Sequence, residues 1–457
     1  MNNYKKENDN NQVVLENFLM IPSYLERFVN VKTNIVKNDY GNDCYIFYGY
    51  VILNNEDLKC NCCGSKMHIH TSTKVRIKHC PIGQFGTYIC IDKKQLKCSH
   101  CGATKMQTIP FQAEKHNITM QLETYITDLL SRNKFTNKDI AFLSGVNRNV
   151  VKDIDKERLM GLYTIDGLGK ELIKPSKYVK YLVIDEFKLH NGYQYATHII
   201  DYETGHILWI ARGKKKQVVY DFINHVGLEW MSHVEAIACD MNSDFEEAFK
   251  EKCPHLKIVY DYFHIVKNLN DKVINPIRKS EYNRLINEKQ YDKADKFKKS
   301  KYILTSNKET LEIKDKEIKE GKITKKNSDL FTIPQIIKKP EYINRYNELI
   351  QSNEKLLVID LIKMKLKDAY SRDEEVSMAE DIMDIVILCY GTNNDHFISF
   401  AKLIINHYDG IIAHAKIKIS SGKIEGINNK IKTLRRMAYG YPDDEYFFLK
   451  LFDMSRH

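Results

Sequence analysis

Three acidic residues stand where a carboxylate could do chemistry. Asp185 closes the apolar stretch 178–187 (YVKYLVIDEF), Asp240 follows 234–239 (VEAIAC), and Glu425 lies early in 420–436 (SSGKIEGINNKIKTLRR), which reads as a helix start. An acid ending a buried strand sits on the rim of the sheet, where a ligand can reach it. Each one alone reads as well as a solvated strand end. Brought together, three carboxylates repel unless cations intervene. Two magnesium ions about 3.5–4 Å apart would neutralise them and clamp an in-line phosphoryl displacement. Magnesium accepts carboxylate and water ligands and keeps positions open for phosphate oxygens; manganese could take its place. Glu186, Asp201, Asp244 and Asp261 are weaker alternatives, and Glu186 should face away from Asp185. His264 falls one helical turn after Asp261, where it could contact a phosphate, position a water or make a structural hydrogen bond.

A second constellation is built from thiols. Cys60-x-x-Cys63-Gly64 and Cys98-x-x-Cys101-Gly102 are two knuckles, each followed by the glycine that a tight turn favours. Four soft ligands from two knuckles suit a tetrahedral structural zinc, with no position left for catalysis. The 34 residues between the knuckles must form a small β subdomain, including 74–78 and 88–92. Cys62, Cys80, Cys90 and His100 are rival ligands.

Residues 135–154 (FTNKDIAFLSGVNRNVVKDI) predict two short helices around Gly145, with Thr136 capping the first and Asn147 the second. That is a helix-turn-helix arrangement. The second helix would offer Asn147, Arg148, Asn149 and Lys152 to a DNA groove. Near Glu425, Lys423, Lys430, Lys432, Arg435 and Arg436 form a basic stripe suited to a DNA backbone. Tyr439 and Tyr441 could stack on an unpaired base, although core filling is the favoured reading.

These groups need a scaffold. The chain has 457 residues and is 43% hydrophobic, enough for several domains and excluding a disordered or collagen-like chain. No apolar run reaches membrane-spanning length, and the polar start MNNYKKENDNNQ, which reads as disordered, lacks a signal-peptide core. An odd count of eleven Cys without a secretory signal argues for reduced thiols. The net charge of +10 permits a polyanionic partner without requiring one. Residues 44–52 alternate as a strand, and 117–160 are helical with short breaks. From 178 onward the pattern predicts strands at 178–187, 193–201 and 206–212, a helix at 215–231, a strand at 234–239, a helix at 244–252 and a strand at 256–260. That is a mixed α/β order. Residues 280–395 are charged and helical, 309–326 reading as an exposed helix or loop, and helical periodicity returns at 396–437.

In order along nearly the whole chain, these segments resemble the ISL3 family of bacterial insertion-sequence transposases, which carry a DDE catalytic domain. The resemblance rests on the paired C-x-x-C-G knuckles, the 135–154 helices, VIDEF, CDMNSDF, DYFHIVKNLN and SSGKIEGINNKIKTLRRMAYGY. It implies that Asp185, Asp240 and Glu425 are the DDE triad of an RNase H-like domain. It also implies cut-and-paste movement of the element's own DNA, with its inverted repeats bound by the N-terminal part. The extra Cys62 departs from the simple knuckle.

The expected fold class is therefore multi-domain α/β. Its expected parts are an N-terminal segment (1–58), a zinc ribbon-like domain (59–112), a helix-turn-helix domain (113–170), an RNase H-like core (171–279), a helical insertion (280–395) and a C-terminal catalytic helix region (396–457). Pairing two element ends predicts a homo-oligomer on DNA, at the nucleoid in the cytoplasm. The competing functions are an RNase H-like nuclease or resolvase that cuts without joining, and an inactive DNA-binding regulator.

Overall fold

A computed structural model describes residues 25–37, 41–167, 169, 171–190, 192, 194–241, 243–320, 341–419, 422–438 and 440–457. The polar start, Tyr439 and the end of the 309–326 segment lie outside the described residues. The chain forms two compact units. One holds the residues up to Ile173 with Thr433–Ser455 and His457; the other holds Lys174–Lys432 with Arg456.

The first unit opens on a mainly antiparallel sheet. Strands β1 (Phe28–Lys37), β2 (Asp43–Val51), β3 (Met67–Ile82) and β4 (Phe85–Cys98) lie in the order β1-β2-β4-β3, and β5 (Thr104–Met106) adds to β4. The segment between the knuckles is thus a single long hairpin, and it contains both short strands that the sequence predicted. Its inner face packs Val51, Ile77, Ile89 and Ile91 on Ile109 and Phe111. Three helices follow, Met120–Ser131, Asn137–Ser144 and Arg148–Tyr163, around Leu122, Ile126, Ile140, Val151 and Ile154. Thr136 caps the second with a full capping box, and Asn147 Oδ1 caps the third by accepting the Asn149 amide at 2.8 Å. Gly145 makes the left-handed turn between them (φ 64°).

Helix Asp444–Met454 completes this unit by lying against Arg148–Tyr163, with Leu159, Tyr446 and Leu449 forming their shared apolar seam. A buried polar network backs the seam. Asp155 accepts from the Tyr446 hydroxyl (2.7 Å) and pairs with Arg158 (2.9 Å) and Lys450 (3.0 Å). Asp453 accepts from Arg158 (2.8 Å), Asn133 (2.9 Å) and the Tyr163 hydroxyl (2.8 Å).

The second unit is built on a mixed sheet of order β10-β9-β6-β7-β8, from β6 (Tyr181–Lys188), β7 (Tyr195–Asp201), β8 (Ile207–Arg212), β9 (Ala236–Ala238) and β10 (Lys257–Val259). The first three strands are antiparallel neighbours; β9 and β10 run parallel to β6. The crossovers to the parallel strands are helical, as parallel pairing demands. Helices Lys216–Val226 and Ser243–Lys252 bury Val219, Phe222 and Ile223, and Phe245, Ala248 and Phe249, at helical spacing. The long helix predicted over 215–231 is broken at Gly227, whose φ of 92° no helix accommodates. The helices between Asn275 and Asn406 share one core with the sheet. Among the described residues, no helix is long and apolar enough to cross a membrane.

Candidate active site and metal centre

Strand register brings two of the three acids side by side. Val183 of β6 pairs with Ala238 of β9, so Asp185 and Asp240 each stand two residues further along neighbouring parallel chains. Such chains lie about 4.8 Å apart. The adjacent backbone amides turn toward both acids: Glu186 donates to Asp185 Oδ1 (2.8 Å) and Met241 to Asp240 Oδ1 (2.7 Å).

Glu425 comes from helix Gly422–Met437, which buries Ile427 and Ile431 one turn apart. One turn after Glu425, Asn428 donates its Nδ2 to Asp185 Oδ2 at 2.6 Å. The helix is therefore tied to the acid on the central strand. Glu425 itself is exposed. The carboxylate oxygens of Asp185, Asp240 and Glu425 are not all within 4.8 Å of one another. Asn428 Oδ1 is buried with no hydrogen-bond partner. An amide oxygen beside a carboxylate is a donor type that a hard cation takes.

Two basic side chains flank Asp240. His264 Nδ1 lies 3.2 Å from Oδ1 and Lys267 Nζ 3.7 Å from Oδ2. Burial works to raise the Asp240 pKa, but these partners overcome it and bring it to about 2. The same pairing raises His264 against its own burial. Asp261 is buried at the head of helix Tyr262–Leu269 and lines a small cavity with Asp185 and His264. Glu186 faces Lys214 (3.9 Å), and partial burial raises its pKa. Asp201 is committed to the β7–β8 turn, accepting from Glu203 and Thr204.

Sequence reasoning missed Asn428, Lys267 and His198. His198 pairs across from Asp185 in the β6–β7 register, and complete burial lowers its pKa to about 4, keeping the ring neutral under the acid. The available signals were a lone histidine in the apolar run YATHIID, and residues three after His264 and Glu425.

The basic residues divide by use. Lys423 spends its ammonium on the Tyr202 and Glu203 carbonyls, both at 2.8 Å. Lys430, Lys432 and Arg436 are exposed and Arg435 is half-exposed. In the first unit Arg148 and Asn149 are exposed, whereas Lys152 pairs with Asp443 at 3.2 Å. Tyr441 stacks on Phe447 (4.8 Å, 29°), as a core residue does.

In the same unit the sulfurs of Cys60, Cys63, Cys98 and Cys101 all lie within 4.8 Å of one another. Sulfur–sulfur separations are 3.6 Å for Cys60–Cys101 and 3.5 Å for Cys63–Cys98 and Cys63–Cys101. A zinc bonded to four thiolates at ~2.3 Å spaces its sulfurs about 3.8 Å apart, so the set fits that ion. The knuckles match: the Gly64 and Gly102 amides donate to the Cys60 and Cys98 carbonyls at 2.9 and 3.2 Å, and both glycines are left-handed. Hydrogen bonds from Ser65 bring the Cys63 thiol down to about 6. Cys62, Cys80, Cys90 and His100 fall outside the cluster.

Comparison with known proteins agrees with this geometry. The family model for ISL3 transposases matches residues 182–451. A model described as the zinc-finger of transposases IS204, IS1001, IS1096 and IS1165 matches residues 58–101. The chain is 26% identical over 400 residues to the transposase for insertion sequence element IS1001 of Bordetella parapertussis, covering 86% of this chain and 87% of that one. A shorter match, 26% identical over 83 residues, joins it to the transposase for IS1557 of Mycobacterium tuberculosis, with 18% of this chain and 19% of that one covered.

Proposed function

Because the chain belongs to the ISL3 family of transposases, we propose that it cuts DNA at the ends of its insertion element and joins those ends to target DNA. The reading is carried by one observation: Asp185 and Asp240 share a sheet rim, and the Glu425 helix is fastened to that rim through Asn428. Three antiparallel strands followed by two parallel ones support an RNase H-like core.

Asp185, Asp240 and Glu425 would hold two magnesium ions, with Asn428 Oδ1 as a further oxygen ligand. When bound, the ions neutralise the carboxylates and polarise the phosphoryl group under attack. The chain's own residues do the positioning. Asn428 Nδ2 orients Asp185, His264 and Lys267 orient Asp240, and neutral His198 stands opposite Asp185 without adding charge. Lys432, exposed one turn beyond Asn428, would take a DNA phosphate.

The N-terminal unit would hold the element ends. Arg148 and Asn149 stand at the start of the helix that enters the groove, while Asn147 caps it. Cys60, Cys63, Cys98 and Cys101 would carry a structural zinc. Pairing of two ends requires more than one subunit on DNA.

The test is purified protein, magnesium and a fragment bearing the element ends, resolved on a denaturing gel. Boundary cuts and joined products, lost in EDTA and in Glu425→Ala or Asp240→Ala with end binding retained, are expected. Cutting without joining would make the protein a nuclease; specific binding without any cut would make it a regulator.

A further inference from the structure

We propose that the solvent face of the N-terminal sheet is a second duplex-DNA surface, continuous with the helix-turn-helix; this rests on the transposase reading and extends it. Strand register defines the face, since directly paired residues point the same way. Arg76 pairs with Cys90, Lys78 with Tyr88, Lys74 with Asp92 and Ser72 with Lys94. On β2, Tyr48 pairs with Cys90, and on β1 Lys32 pairs with Tyr48. Lys32, Tyr48, Lys74, Arg76, Lys78 and Lys94 therefore share one side. The opposite side is the apolar core.

Charge selects the occupant. Among the described residues, five cations stand on this face against the carboxylate of Asp92. Among the described residues none of the five makes an ion pair. Lys32, Lys74, Arg76 and Tyr48 are exposed. The Arg76 guanidinium lies 3.6 Å from the centre of the Tyr88 ring, a stacking contact that restrains it. A concavity lined by Val31, Tyr48, Lys74, Arg76 and Cys90 lies among them. A polyanion with a stiff backbone fits this pattern of charge.

Geometry gives the direction. Lys74, Arg76 and Lys78 recur every second residue along β3, a step of about 6.8 Å. Phosphates of one DNA strand advance ~3.4 Å each along the axis and wind round it as they go, so the step of the row is of the order of the separation between neighbouring phosphates. It ends at the helix-turn-helix: a Cβ added at Gly145 would lie 2.7 Å from Lys78 Nζ. Duplex held by the Arg148 helix would continue over this face, which would read backbone and not bases.

The experiment measures affinity against salt for the full chain with two duplexes, one bearing the element end and one of random sequence. Wild type is compared with Lys74→Ala/Arg76→Ala, both checked by thermal melting. Each lost phosphate contact removes about 0.9 from the slope of log K against log salt. The double variant should drop by about 1.8 on both duplexes, leaving roughly tenfold less loss of affinity between 50 and 200 mM salt. Either duplex should also slow alkylation of Cys90 in wild type. An unchanged slope with unprotected Cys90 overturns the proposal. A variant that changes the oligomer mass but not the slope overturns it too, making the face a contact between copies. Loss of end preference with the slope change intact would instead count against the transposase reading alone.

Discussion

Arg158 bridges two buried carboxylates, and its removal should loosen the N-terminal unit without touching a group proposed to meet DNA. Its side chain is 9% exposed, against 0% for Asp155 and 2% for Asp453. Breaking a buried pair by deleting one partner costs ~3–5 kcal/mol, because a charge is left uncompensated. Arg158→Met should fall at the lower end, about 3 kcal/mol. Lys450 stays with Asp155, and Asn133, Tyr163 and a distant His457 (3.9 Å) stay with Asp453. For a unit of this size, ~2–4 °C are lost per kcal/mol, so the melting transition should drop roughly 6–12 °C. Adding Asp453→Asn should recover part of the loss, because the orphaned charge goes with it. The pH dependence has a definite sign. Burial works to raise the Asp453 pKa, but Arg158 and Asn133 lower it overall. A depressed carboxylate contributes stability above its unfolded pKa and loses it as pH falls through the folded one. The gap between wild type and Arg158→Met should therefore narrow below about pH 3.9. Thermal melts across pH, with end binding in parallel, test this. A loss under ~1 kcal/mol, or strictly additive single variants, would refute a coupled buried network.

Asn428→Ala should lower strand cleavage 10- to 100-fold, the usual effect of removing a group that orients a metal ligand; gel-shift binding to the ends should stay unchanged. Cys98→Ser should lose bound zinc, measured by metal analysis, and lose end binding with it, whereas Cys62→Ser should keep both because Cys62 is outside the cluster. Lys432→Ala should reduce the salt slope of DNA binding by about 0.9, while Lys423→Ala should leave it unchanged because Lys423 is bound to carbonyls; equal slopes for the two would contradict the division.

Asp185 and Asp240 were legible because each ends an apolar run, and the knuckles because cysteine spacing and glycine coincide. The caps were legible for the same local reason: Thr136 and Asn147 act within three residues of themselves. What stayed hidden depends on pairing across long stretches. Asn428 is unremarkable on its helix until that helix is laid against β6. The length of the β3–β4 hairpin was hidden because β3 carries His, Thr, Ser and Lys in its exposed half, so alternation is invisible in hydrophobicity. Lys423 looked like part of a basic stripe, because nothing local shows that two turn carbonyls meet it.

The C-terminal helix is the sharpest case. The sequence placed this helix in one C-terminal region, 396–457, with the Glu425 helix. Thr433–Ser455 instead groups with the N-terminal unit. Tyr446, Leu449, Lys450 and Asp453 fall at helical spacing, but two of the four are charged, so a hydrophobic template scores the face as surface. Its counterpart Asp155, Arg158 and Leu159 fails the same way. Only the juxtaposition turns these charges into satisfied partners. Such a network adds little net stability over an apolar seam, but it resists sliding. A one-turn shift that Leu159 and Leu449 could tolerate would leave Asp155 and Asp453 buried without Arg158. The charges therefore select one register for the Arg148–Tyr163 helix, and with it one placement of Arg148 and Asn149.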